Sequence, residues 1–235
     1  MKPIVFSFFL LFTLNFAAHA QTDYQNTGWF MFVNSTKINK KWATHLDFQY
    51  RSSDDWKHKK NLMLRPGLTY LINNKQELTL GYLLNESYTY ADATPDFHVS
   101  EHRIWEQYVY KHKLSSIAAT HRLRAEQRFI GKHQAEGVFA QRFRYFFRFL
   151  IPVEKQVSSF EKGVFLALQN EVFLNIDNKE LINNSLFDQN RAYAAAGYRF
   201  SKKVDLEAGY MNQAVKGAAG HTSNNIIQLA VYTRF

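Results

Sequence analysis

Arginine recurs at alternate positions along several stretches of this 235-residue chain. Within 121–130 the row is Arg122, Arg124, Glu126 and Arg128, and within 141–151 it is Arg142, Arg144 and Arg148. Arg103, Arg191 and Arg199 hold the same phase of other segments, together with Glu101, Glu171, Asp205 and Glu207. A guanidinium stays charged and presents five donors in a planar fork, so such rows either neutralise themselves against carboxylates or hold anions. Rings of Arg or Lys around a narrow aqueous passage select for anionic solutes. The expected chemistry is therefore recognition of a small anionic solute at a constriction. If the carboxylates saturate the guanidiniums, the same residues form a packed, closed interior.

Other spellings carry less. His98-Val99-Ser100-Glu101-His102 reads as H-x-x-E-H, but that metal site needs a helix to bring both histidines to one face. Here Pro95 and Asp96 precede it and an alternating segment follows, so no metal site is expected. His221 and Ser223 open the last segment, and a phospholipid hydrolase needs a Ser–His pair with an orienting polar group. With only that pair in view, hydrolysis is a remote alternative. There are no cysteines, which excludes disulfides and thiolate chemistry. No glycine-rich phosphate loop occurs, no cofactor is expected, and the net charge of +9 is spread too evenly to suggest a nucleic-acid surface.

The elements that must position these rows are strands. A helix advances 100° per residue and cannot make one apolar face from a period of two. In 41–51, Trp42, Thr44, Leu46, Phe48 and Tyr50 alternate with Ala43, His45, Asp47, Gln49 and Arg51. In 61–71, Leu62, Leu64, Leu68 and Tyr70 oppose Asn61, Arg65 and Thr69. Similar alternation runs through 76–88, 101–112, 121–130, 141–151, 163–175, 188–200, 203–213 and 223–235, with a looser opening segment at 28–38. That makes eleven segments. Single-chain bacterial outer-membrane barrels have even numbers, so the expectation is an antiparallel up-and-down barrel of about 12 strands, or about 10 if the loose segment is not wall. The twelfth would be a short strand in 22–27. Turns at 39–40, 73–75, 114–116 and 201–203 are short, with a longer one at 153–162, whereas 52–60, 90–100, 130–138, 176–187 and 214–222 read as longer loops.

Residues 1–20 run from Lys2 through an apolar stretch to Ala18-His19-Ala20, a secretory signal with a small-x-small cleavage site. The expected organisation is a signal peptide at 1–20 and one barrel domain at 21–235. Alternation alone does not separate a membrane barrel from a soluble calyx with inverted faces. Three features favour the membrane. The last segment ends in Phe235, an aromatic terminus of the kind that barrel assembly machinery reads. Trp29, Trp42, Tyr50, Tyr70, Tyr88, Tyr90, Tyr110, Tyr198 and Tyr210 lie near segment ends, as an interfacial girdle would. Finally, eleven segments exceed an eight-stranded soluble calyx.

WATHLDFQYR at 42–51, EHRIWEQ at 101–107, RLRAEQRF at 122–129, QRFRY at 141–145, NEVF at 170–173 and the stretch from Asn190 to Phe200 resemble, in this order, the domain of unknown function 2490 family of outer-membrane proteins, found mostly in Bacteroidetes. The resemblance implies an outer-membrane barrel with no established reaction, substrate or cofactor. The sequence thus points to an integral bacterial outer-membrane barrel. Its role is expected to be a narrow anion-preferring pore, or a structural or surface-interaction protein of the envelope. Lys57, Lys59 and Lys60 are placed to meet anionic lipopolysaccharide.

Overall fold

The computed structural model describes residues 22–90, 95–154 and 159–235; the expected signal at 1–20 lies outside them. The strands are β1 (Thr22–Lys37), β2 (Trp42–Ser52), β3 (Lys59–Leu71), β4 (Gln76–Tyr90), β5 (Pro95–Leu114) and β6 (Ile117–Lys132). They continue as β7 (Ala135–Pro152), β8 (Gly163–Asp177), β9 (Phe187–Ser201), β10 (Val204–Lys216) and β11 (His221–Arg234). Together they form one closed barrel in chain order. Among the described residues there is no α-helix, only one-turn 3₁₀ segments at Asp54–Trp56 and Lys179–Leu181.

The strand number corrects the expectation of twelve. Residues 22–27 do not form a strand of their own; they continue into 28–37 as β1, because nothing in them interrupts an extended backbone. Odd parity is accommodated at the seam. Every sequential pair is antiparallel, but β1 and β11 pair parallel, from Thr22 opposite His221 to Ser35 opposite Arg234. β1 therefore starts at one rim and β11 ends at the other. At the carboxy-terminal rim, Phe235 N donates to Ser35 O (2.9 Å) and Lys37 N donates to Phe235 O (2.7 Å).

The expected division into short turns and long loops is also corrected. Between β6 and β7 only His133 and Gln134 intervene, because Ile130 pairs with Val138 and Lys132 with Ala135, and Gln134 takes a left-handed φ of 54°. The β5 strand likewise begins at Pro95, inside the expected 90–100 loop.

Alternation sends one phase inward and the other outward along every strand. Leu80 is 58% exposed on the outer wall and Arg124 is 2% exposed inside. Trp29, Tyr193, Met211 and Ile226 form one cluster at the seam, and Met63, Leu83 and Trp105 form another. Gly67 and Gly81 face each other across β3 and β4, and Trp105 lies over them. A Cβ at Gly67 would come within 3.0 Å of that ring, so this paired-glycine floor is what admits an indole into a narrow interior. Trp29 corrects the expected girdle: it shares its phase with Met31 and Val33 and points inward, beneath the Arg51 guanidinium at 3.6 Å.

Candidate anion-binding interior

The rows of arginine face inward because the opposite phase is occupied by Leu, Phe, Tyr and Ala. Arg103, Arg122, Arg124, Glu126, Arg128, Arg142, Arg144, Arg148, Glu171, Arg191, Arg199 and Glu207 all lie on the inner face.

Three carboxylates act as hubs between adjacent strands. Glu126 accepts two bonds from Arg142 (Nε 3.0 Å, Nη2 2.6 Å) and one from Arg144, with Arg103 at 3.6 Å and Arg124 at 3.9 Å. Glu171 accepts from Arg122 and Arg144, each at 2.7 Å. Glu101 takes the fork of Arg103 (2.8 and 2.7 Å) and Arg128 Nε at 2.6 Å. Asp188 holds the far side of Arg142 at 2.7 Å. Asp47 pairs with Arg65, and Glu207 with Arg148. Nearer the carboxy-terminal rim, Asp205 takes Arg199 (2.8 and 2.9 Å) and Arg234 (2.6 Å).

Three guanidiniums are left with neutral acceptors. Arg51 donates to Gln49 Oε1 (Nε, 3.2 Å), Arg124 to Gln107 Oε1 (3.1 and 2.6 Å), and Arg191 to Gln189 Oε1 (3.2 Å). Arg51 and Arg191 both stack on Trp29, at 3.6 and 5.1 Å, and Arg142, Arg144 and Arg191 all lie over Phe173. The negative faces of these rings take part of the charge that no carboxylate meets.

The remaining space forms successive cavities. One, about 450 Å³, is lined from Lys37, Lys111 and Phe235 at the carboxy-terminal rim inward to Arg51, Arg65, Arg144 and Arg191. The next, about 210 Å³, shares those four arginines and adds Arg103, Arg128 and Arg142 against a single carboxylate, Asp188. A third, also about 210 Å³, shares Arg51, Asn61 and Gln213 with the second and reaches Gln25 and Lys60 near the amino-terminal rim. The layer of Arg51, Arg65, Arg144 and Arg191 thus separates the first two compartments.

A family model described as a protein of unknown function matches residues 26–224, from within β1 to within β11. The chain belongs to the DUF2490 family. No curated protein and no solved structure matches it. From the stretches that carry the resemblance, Glu101, Arg103, Glu126, Arg142, Arg144 and Glu171 converge in one network, so segments distant in sequence share one interior.

The other sequence candidates stand elsewhere on the DUF2490 barrel. His98 and His102 point outward, His98 3.8 Å from Glu86 and His102 against Tyr82. His221 and Ser223 share the outer phase of β11, and Ser223 Oγ accepts from Asn212 Nδ2 at 3.1 Å. Phe235 lies at the rim with Lys203 Nζ 5.5 Å from its ring centroid. At the opposite rim Lys57 is exposed beside Asp55, Lys59 lies over Tyr88 and Lys60 donates to Gln25. Reading the rows for charge alone missed Gln49, Gln107 and Gln189, the amide acceptors; their inward phase was the available signal.

Proposed function

We propose that this barrel resides in the bacterial outer membrane and provides a narrow passage that prefers small anions. The membrane reading rests on the inverted faces: aliphatic and aromatic side chains are exposed on the outer wall, while arginines and carboxylates are buried inside. Turning the arginines outward into lipid would cost roughly 2–4 kcal/mol for each one near the midplane. The strands, of 11 to 20 residues, are long enough for tilted crossings of the hydrocarbon layer.

Anion preference rests on one observation, the surplus of guanidinium over carboxylate along consecutive cavities. In a low-dielectric enclosure that surplus attracts anions and repels cations. The Lys57–Lys60 rim faces lipopolysaccharide. No reaction is part of this reading.

The test is conductance of the refolded, detergent-purified barrel in a planar bilayer under a salt gradient. The expected result is small steps with a reversal potential of anion sign. Arg51→Gln and Arg191→Gln leave no carboxylate unpaired and should lower that selectivity, while Arg124→Glu and Arg144→Glu should move it towards cations. The second reading is a closed envelope barrel, favoured by the hubs at Glu126 and Glu171 that bridge the interior. A silent bilayer with verified insertion would select it.

A further inference from the structure

The cavity at the carboxy-terminal rim has an uneven hydrogen-bonding balance. Arg65 Nε, Arg122 Nε, Arg124 Nη1 and Gln228 Nε2 are buried side-chain donors with no hydrogen-bond partner among the described residues, and all four residues line that cavity. His45 Nε2, likewise without a partner, lines it too. Arg65, Arg124 and Gln228 are 4%, 2% and 3% exposed, so bulk water does not reach them freely. A buried donor without an acceptor costs free energy, more when it is charged, and several around one space are the complement of an acceptor-rich guest.

The charge balance has the same sense. Eight arginines line the cavity, with Lys37 and Lys111, against the carboxylates Asp47, Glu77 and Glu171. Those acids are engaged: Asp47 with Arg65, Glu77 with Lys111 at 2.7 Å, and Glu171 with Arg122 and Arg144. The four buried donors come from β3, β6 and β11, on different sides of the wall. A guest with acceptors in several directions and more than one negative charge answers that arrangement better than a planar monoanion.

We infer that this cavity is a binding site for a small multivalent oxyanion of the phosphate class, free in solution and entering at the carboxy-terminal rim. The inference deepens the anion reading of the interior and does not require that the barrel conduct. Oxygen acceptors of the guest take the Arg65, Arg122 and Arg124 N–H groups, and the Gln228 amide donates one more bond. About 450 Å³ accommodates a phosphorylated small solute as well as the free ion.

Inorganic phosphate, sulfate and chloride are titrated calorimetrically into the folded protein in neutral detergent at constant ionic strength, with heat-modifiable migration verifying the fold of each variant. Saturable binding of phosphate without a comparable chloride signal is expected. Arg124→Gln should weaken it about tenfold or more, as loss of a charge-assisted partner does. Gln228→Glu, which places an internal carboxylate among the free donors, should abolish it; Lys57→Gln, at the other rim, should leave it unchanged. If Arg124→Gln does not fold, His45→Gln and Gln228→Glu carry the test. The inference is overturned by the absence of saturable phosphate binding in folded wild type, or by equal affinity in wild type and every folded cavity variant. Anion conductance without saturable binding would overturn this inference and leave the passage standing. Binding without conductance would do the reverse.

Discussion

The two flanks of the barrel interior are built from different chemistry. From β5 to β8 the inner wall carries arginine rows cross-linked by Glu101, Glu126 and Glu171. Along the seam of β11 and β1 it carries Ile226 and Trp29, packed on Tyr193 and Met211, with a file of neutral amides. Thr27 donates to Asn224 (3.1 Å), Asn224 to Gln213 (3.4 Å) and Gln213 to Gln189 (2.5 Å), so the file runs across the seam. Charge is concentrated where hairpins already hold the strands side by side, and the seam is packed with apolar and neutral groups. A buried ion pair is a poor source of net stability, because desolvation offsets much of the attraction. The seam's packing keeps the barrel shut, and the charged flank is free to be specialised for a guest.

The sharpest way to break this contrast is to remove one hub. Glu126→Ala removes the carboxylate that four guanidiniums share and should destabilise the folded barrel by about 3–5 kcal/mol, read from the midpoint of urea unfolding. On the other flank, Ile226→Ala leaves a cavity in the seam cluster and should cost about 2–4 kcal/mol in the same assay. A loss below about 1 kcal/mol for Glu126→Ala would show that the neighbouring guanidiniums do not depend on that carboxylate, and an unchanged midpoint for Ile226→Ala would show that the seam cluster does not hold the barrel shut. Gly81→Val drives a branched side chain into Trp105 and should cost about 1–3 kcal/mol, with a change in tryptophan emission. The smallest effect is expected at the paired hydroxyls of Thr69 and Thr79 (2.9 Å), where Thr69→Val should cost about 1 kcal/mol.

Much of this architecture is legible in the amino-acid order. Each of the eleven alternating segments lies within one strand or overruns its end by a residue or two, and each expected interior arginine faces inward, because a period of two leaves a strand only two faces. What escaped is what depends on distant partners. Parity was misjudged because the pairing of Thr22–Ser35 with His221–Arg234 joins the ends of the wall and has no local signature. The tight turn at His133–Gln134 was hidden because a glutamine, not a glycine or asparagine, takes the left-handed position. The cavity at the carboxy-terminal rim was invisible for a related reason. Whether an arginine finds a carboxylate or an amide depends on the register between strands, which puts Arg124 opposite Gln107 and Arg103 opposite Arg128.

The parallel seam also has a kinetic consequence. Ten of the eleven strand pairings join neighbours in the chain and can form hairpin by hairpin, with loop closures of modest entropy. The eleventh joins residues such as Thr27 and Asn224, 197 positions apart, in the parallel geometry that is slightly weaker per residue. Such a contact is the slowest to nucleate and the first to come apart. The wall should therefore grow as an open, curling sheet whose rate-limiting event is the meeting of β1 and β11. Slow refolding should respond to substitutions along that line far more than to those in any hairpin.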